Sequence, residues 1–236
     1  MQTVKYRLTN PDLNPRRIRL EIPGWAGQPE RRVDGSQEYA WHCAPFSEAA
    51  TAGIELLYPY DNELHVTTQN GTLLLQGDFG EPPSPGLQWP PFRPFGQLYY
   101  TYQSLIDLKV AEGYAIKTEP HPRFYTDTTG TVPIAVPALI RHWWPMINFL
   151  VFKAPGEGQC HIFRPGEPFV QMTLVQADAK FDLVEMPEDE AAERELQSRR
   201  IYASRATLSA DSQWVSATNT VFDGTYRRIL GAVKHS

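Results

Sequence analysis

The segment LHVTTQNGTLLLQG, Leu64 to Gly77, sets two β-prone runs on either side of Asn70-Gly71. Asn-Gly readily takes the positive φ angles of a type I′ turn, so the pattern predicts a β-hairpin. Further apolar or alternating runs follow: LIDLKV from Leu105, GYAIKTE from Gly113, VPIAV from Val132, INFLVF from Ile147, CHIF from Cys160 and PFVQMTLV from Pro168. No helical crossover separates them, and 21 prolines interrupt the chain so often that long helices are not expected before residue 186. The expected fold is mainly β, an antiparallel sandwich or incomplete barrel with C-terminal helices.

The pattern changes at MPEDEAAERELQSRRIYASRA, Met186 to Ala206. Pro187 suits a first helical position, Glu188, Asp189 and Glu190 suit the positive N-terminal end, and Arg199, Arg200 and Arg205 suit the other end. A helix is predicted, docked only partly through the stripe Ala192, Leu196, Arg199 and Ala203. A second, weaker helix is expected from Asp211 to about Asn219. The chain thus reads as a β-rich domain over 1–185 and a helical segment over 186–236 packed on it. Within the former, EPPSPGLQWPPFRPF, Glu81 to Phe95, interleaves six prolines with Trp89, Phe92 and Phe95. A stiff, extended strap that buries these rings over the core is expected, with a polyproline recognition tract as the alternative.

Charge and cysteine content narrow the functional classes. A formal net charge of −5 argues against a protein built to coat nucleic acid, which needs clustered cations. The short groups Arg16, Arg17, Arg19 and Arg31, Arg32 read as solvated surface. Two cysteines, Cys43 and Cys160, make neither a disulfide framework nor a Cys-rich zinc site. Neither a signal-peptide pattern nor the roughly 20 apolar residues of a membrane helix is present, so a soluble, cytoplasmic protein is expected.

Candidate chemistry is sparse. In AEGYAIKTEPHPRFYTD, Pro120 and Pro122 hold His121 in a loop-like backbone and could present His121, Arg123 and Asp127 together at a sheet edge. There Arg123 would bind an anionic group, His121 would transfer a proton near neutral pH and Asp127 would orient it or a water. The plainer reading is a turn whose Asp bonds its own backbone. WHCAPFSEA, Trp41 to Ala49, places His42, Cys43 and Glu48 in a short loop. Neighbouring His and Cys on a strand face opposite ways, so a buried Cys43 beside Trp41 and Phe46 is expected instead of a shared site. In RHWWPMINF, His142, Trp143 and Trp144 could stack a ring-shaped ligand or a peptide, or the tryptophans could belong to the core. Glu167 and Gln171, around the Gly166-Glu167-Pro168 corner, are further ligand-binding candidates; equally, Gly166 turns the chain, Pro168 starts a strand and Gln171 satisfies buried backbone. A metal site could be assembled only from the scattered His65, His121, His142 and His161. The GxSxG, GxGxxG, P-loop and HExxH patterns are absent.

INFLVFKAPGEGQCHIFRPGEPFVQMTLV resembles an uncharacterised family of bacterial proteins, a domain of unknown function. The resemblance rests on Gly113-Tyr114, the Asp127 turn, Asn148-Phe149, Arg164 to Phe169 with Gln171, Ser198-Arg199 and Phe222 to Tyr226, and it implies no activity. More distantly, Gly113-Tyr114, Pro122-Arg123, Asp127 and Gly166-Glu167 with Gln171 resemble, in order, the motifs of the β-clip fold of trimeric dUTPases and dCTP deaminases. Phe124 stands where those proteins carry Ser. This second resemblance implies a β-clip-like incomplete barrel, a homo-oligomer and a nucleotide-like substrate. The function expected from all of this is a small-molecule or protein-binding accessory protein without membrane contact. The alternatives are an enzyme acting on a phosphorylated or nucleotide-like substrate, and a metal-dependent enzyme; no cofactor is assigned.

Overall fold

The computed structural model describes residues 2–18, 30–31, 37–38, 44–125, 127–144, 149–205, 214–215 and 221–222. In chain order the elements are β1 (Lys5–Leu8), β2 (Arg16–Arg17), β3 (Glu30–Arg31), β4 (Gln37–Glu38), α1 (Ala44–Thr51), β5 (Ile54–Leu57), β6 (Leu64–Gln69) and β7 (Thr72–Gln76). They continue with β8 (Phe92–Phe95), β9 (Tyr99–Gln103), β10 (Ile106–Lys109), β11 (Tyr114–Pro120), β12 (Ala138–Arg141), β13 (Phe149–Lys153), β14 (Cys160–Phe163) and β15 (Pro168–Gln176). The last are α2 (Glu188–Arg205), β16 (Trp214–Val215) and β17 (Val221–Phe222).

Two compact units divide the chain. Met1–Leu20 with Ala49–Ala179 forms the first, and Glu21–Glu48 with Lys180–Ser236 the second. The first unit is mainly β and its strand ladders are antiparallel, as expected. A five-stranded sheet runs β12-β11-β15-β5-β2, two three-stranded sheets run β13-β9-β8 and β14-β6-β7, and β1 pairs with β10. Among the described residues the sheets remain open, so incomplete closure is the right description.

Aromatic rings dominate the core. Phe92 stacks on Tyr102 with centroids 4.2 Å apart, Tyr100 stacks on Phe152 at 5.2 Å, and Phe163 meets Tyr58, Phe152 and Phe169 at tilted or edge-on angles. The predicted strap accounts for part of this: Phe92 is buried, Trp89 packs against the core and donates from Nε1 to the Gly80 carbonyl at 2.7 Å, whereas Phe95 stays exposed. Residues 92–95 are more than a strap, because they pair with β9.

The Asn70-Gly71 hairpin forms with both residues at positive φ (52° and 71°), as a type I′ turn requires. Three expectations need correction. VPIAV makes only an isolated bridge, Ala135 to Phe152, and the strand is the next segment, β12. Pro133 and Pro137 withhold amides from a ladder, so regular pairing starts once Pro137 is passed. The stretch from Ala44 is not loop but α1, since Pro45 is tolerated in a first turn and Glu48, Ala49 and Ala50 favour helix. Within the expected second C-terminal helix, Trp214–Val215 is extended and pairs with Val221–Phe222, so one C-terminal helix, α2, is present among the described residues. Trp41, His42 and Cys43 lie outside the described residues.

Candidate functional site

β5 carries a carboxylate in an apolar run, GIELLYPY, and the sheet register decides its neighbours. Glu55 lies opposite Arg16 on β2 and Gln171 on β15, and Gln171 lies opposite Glu119 on β11. Directly opposed residues share a sheet face, so these four form one polar row across the sheet. Glu55 is only 1% exposed, a burial that a carboxylate tolerates only when paired and hydrogen-bonded. It is: Arg16 Nε donates to Oε1 at 2.6 Å, and His121 Nε2 lies 2.9 Å from Oε2. The expectation of a solvated Arg16 is thereby corrected, because its guanidinium holds a buried carboxylate.

His121, 3% exposed, lies between the end of β11 and a 3-10 turn at Pro122–Tyr125. Its Nδ1 accepts from the Arg123 amide at 3.2 Å. An accepting Nδ1 and a donating Nε2 are the two roles of one neutral tautomer. Burial lowers the imidazole below its ordinary range; Glu55 opposes this, while Arg123 and Arg16 add to it. Both ring nitrogens are therefore engaged within the chain, and His121 ties the turn to the sheet.

Arg123 NH1 donates to Glu167 Oε2, so the structure brings together three of the candidate residues, His121, Arg123 and Glu167. Glu167 also stands 3.8 Å from Arg164, whose Nε lies 3.5 Å from Glu63. Glu63 in turn meets His65 Nε2 at 2.8 Å, and His65 Nδ1 lies 3.8 Å from Cys160 Sγ. The Cys160 thiol is pushed up chiefly by burial, the opposite of an activated nucleophile. Gln171 does what a buried amide does at a sheet–helix junction: Nε2 donates to the carbonyls of Ala49 at 2.7 Å and Ala52 at 2.8 Å, closing the C-terminal end of α1.

Asp127 stands apart from this network. Its Oδ1 accepts from the Thr129 amide and hydroxyl, its Oδ2 accepts from the Gly130 amide, and no hydrogen bond joins it to His121 among the described residues. Burial raises its carboxyl, but these bonds outweigh it and hold the group below the usual carboxylate range. His142, Trp143 and Trp144 lie elsewhere, in the turn that ends β12. There Trp143 is 60% and Trp144 43% exposed, with ring centroids 5.9 Å apart and planes at 58°. They are not core. Trp144 N donates to the Arg141 carbonyl at 2.9 Å, and Arg141 NH1 donates to Asp178 at 2.7 Å, which fixes the turn. Leu139, on β12 at one edge of the five-stranded sheet, is 54% exposed.

The scattered histidines do not gather. His65 faces Glu63 and Cys160, His121 faces Glu55 and His161 faces Tyr100, and among the described residues no group of three or more His, Cys, Asp or Glu could hold a metal ion. No described helix is long and apolar enough to cross a membrane.

No family model and no curated protein matches the chain. Among the solved structures similar to it are three dUTPases. Native EIAV dUTPase has 8% identity, a TM-score of 0.37 and covers 79% of this chain and 98% of its own. A variant dUTPase from phage phi11 of S. aureus has 10% identity, a TM-score of 0.36 and covers 79% and 99%. A Staphylococcus bacteriophage 80alpha dUTPase has 11% identity, a TM-score of 0.34 and covers 79% and 90%. At such identities and scores the likeness carries no activity to this chain.

Sequence reasoning missed Glu55, Arg16 and Arg164. The one available signal was Glu55 itself, a charged residue between Ile54 and Leu56 in an otherwise apolar strand. Its partners are 39 and 66 residues away and could not be read from spacing.

Proposed function

We propose that this chain is a non-catalytic binding protein that receives an extended polypeptide partner at the outer edge of its five-stranded sheet. The observation that carries the reading is the exposed trio Leu139, Trp143 and Trp144 on and beside β12, one of the two edge strands of the sheet. An edge strand offers unpaired backbone donors and acceptors to another strand. Large apolar side chains clustered beside it mark a contact surface, since burying each would be worth about 1.5–3 kcal/mol. Tryptophan pairs suit such contacts because they bring large rigid area at low entropic cost. A partner strand paired with β12 would seat apolar side chains against Leu139 and the two indoles.

The engaged state of His121 and Glu55 supports a role in binding over one in catalysis. The competing reading, an enzyme acting on a phosphorylated or nucleotide-like substrate through His121, Arg123 and Asp127, draws on the imidazole–carboxylate pair itself. It requires that pair to open to substrate.

Peptide selection separates the two. Peptides enriched on the wild-type chain are expected to be extended and apolar at alternate positions, and to lose binding at least about tenfold to a Trp143→Ser/Trp144→Ser variant. Peptides that bind the variant equally well, or turnover of a nucleoside triphosphate panel that His121→Ala abolishes, would overturn the proposal.

A further inference from the structure

Leaving β13, the chain runs through Lys153-Ala154-Pro155-Gly156-Glu157-Gly158-Gln159 before β14 begins. This loop is pinned on several sides. Lys153 N donates to the Ile134 carbonyl at 3.1 Å, Ala154 N to Leu98 at 2.8 Å and Gly158 N to Thr68 at 3.1 Å, while Thr68 Oγ1 donates to the Pro155 carbonyl at 2.8 Å. The Glu157 carboxylate accepts from the Asn70 amide at 2.6 Å and the Gly71 amide at 3.2 Å, fastening the loop to the hairpin turn. The result is a held cleft of about 500 Å³ between the loop and residues 97–98 and 134. Its volume lies in the range of small-molecule sites.

The walls are largely apolar, from Leu98, Ile134, Ala154 and Pro155; Thr68, Gln97, Glu157 and Gln159 add polar side chains to the lining, and two further polar groups bear on a ligand. One is His161, 6% exposed. Its Nδ1 lies 3.1 Å from the Tyr100 hydroxyl, and Tyr100 is fully buried. A buried phenol needs an acceptor for its proton, and Nδ1 is the partner it has; Tyr100 therefore donates, and the proton of the neutral imidazole sits on Nε2. Nε2 has no hydrogen-bond partner among the described residues, and His161 lines the cleft. The second group is Lys153, exposed at the rim and without an ion-pair partner among the described residues. Glu157, the one carboxylate in the lining, is turned onto the Asn70 and Gly71 amides, which stabilise its charge where it stands.

We propose that this cleft is a binding site for a small monocarboxylate with an apolar body, its carboxylate shared between the Lys153 ammonium and the His161 Nε2–H. One cation and one neutral donor match a monoanion. A phosphoryl dianion would bring a second charge that nothing in the cleft answers. The site is separate from β12 and stands or falls independently of the proposed partner.

The test uses 3-phenylpropionate as probe, with 3-phenylpropanol and phenyl phosphate as comparisons, titrated against the whole chain by NMR. The carboxylate is expected to bind saturably with a Kd of about a millimolar, as befits a ligand of its size, shifting the amides of 153, 154 and 156–159 and the His161 ring. Lys153→Met, a change at an exposed position that leaves the fold intact, should weaken it about tenfold. The alcohol should bind at least about tenfold more weakly than the acid. No saturable shift up to about 20 mM would overturn the site. Equal binding of acid and alcohol, an unchanged affinity in the lysine variant, or tighter binding of phenyl phosphate would overturn the ligand class.

Discussion

Replacing Glu55 with alanine is expected to destabilise the first unit by about 3 kcal/mol, within the range for breaking a buried charged pair from one side. The carboxylate is the common acceptor for Arg16 Nε and His121 Nε2, and the change removes both bonds at once. Arg16 is partly exposed and can recover water. His121 cannot, and its Nε2–H is left buried without an acceptor, which by itself costs about 1–3 kcal/mol. Glu55→Gln should cost less, because an amide oxygen can still accept from one of the two donors. Urea unfolding of wild type, Glu55→Ala, His121→Ala and the double variant checks this. The double variant should be less destabilised than the sum of the singles, since the two groups act on one another. A loss below about 1 kcal/mol in Glu55→Ala would mean that the pair does not hold the turn to the sheet.

Acid should weaken the fold already between pH 6.5 and about 4. Burial pushes the His161 imidazole down to about 4, and it also lowers His121. A histidine that is harder to protonate when folded binds more protons in the unfolded chain. Stability therefore rises with pH between the folded and unfolded values and is flat above the latter. The contribution is fully present above pH 6.5 and is lost as pH falls toward about 4. For His161 alone that loss amounts to roughly 3 kcal/mol, with His121 adding in the same direction. Urea midpoints at intervals from pH 7.5 to about 4.5 should fall steadily below pH 6.5. In His161→Gln, which cannot titrate, the slope should be shallower even if the variant is less stable at neutral pH. A midpoint that does not change across this window would show that these rings are solvated.

The parts legible in the sequence were those encoded locally. The Asn70-Gly71 turn needs only two residues able to adopt positive φ, and α2 needs only its acidic start, its basic end and a run free of proline. β11 and β15 were legible because their β-prone runs are bounded by turn residues, Gly113 before one and Gly166 before the other. β12 was not, because VPIAV has the better β composition while its prolines deny it the ladder; the strand falls instead on Ala138–Arg141. The candidate site divides in the same way. His121, Arg123 and Glu167 were found from the chain's corners, and the structure joins them. Glu55 and Arg16 were not, because the burial of a single carboxylate depends on which strands become neighbours. The exposure of Trp143 and Trp144 was not legible either, because it depends on β12 lying at an edge of the sheet.

Native mass spectrometry of gently purified wild-type protein, beside a Leu139→Asp/Trp143→Ser variant, tests the proposed edge most directly. The account predicts that the wild type carries an additional polypeptide mass, a second copy or a different chain, and that the variant, still folded by circular dichroism, does not. A wild type that remains a bare monomer across the concentration range, or a variant that keeps the same assembly, would contradict it.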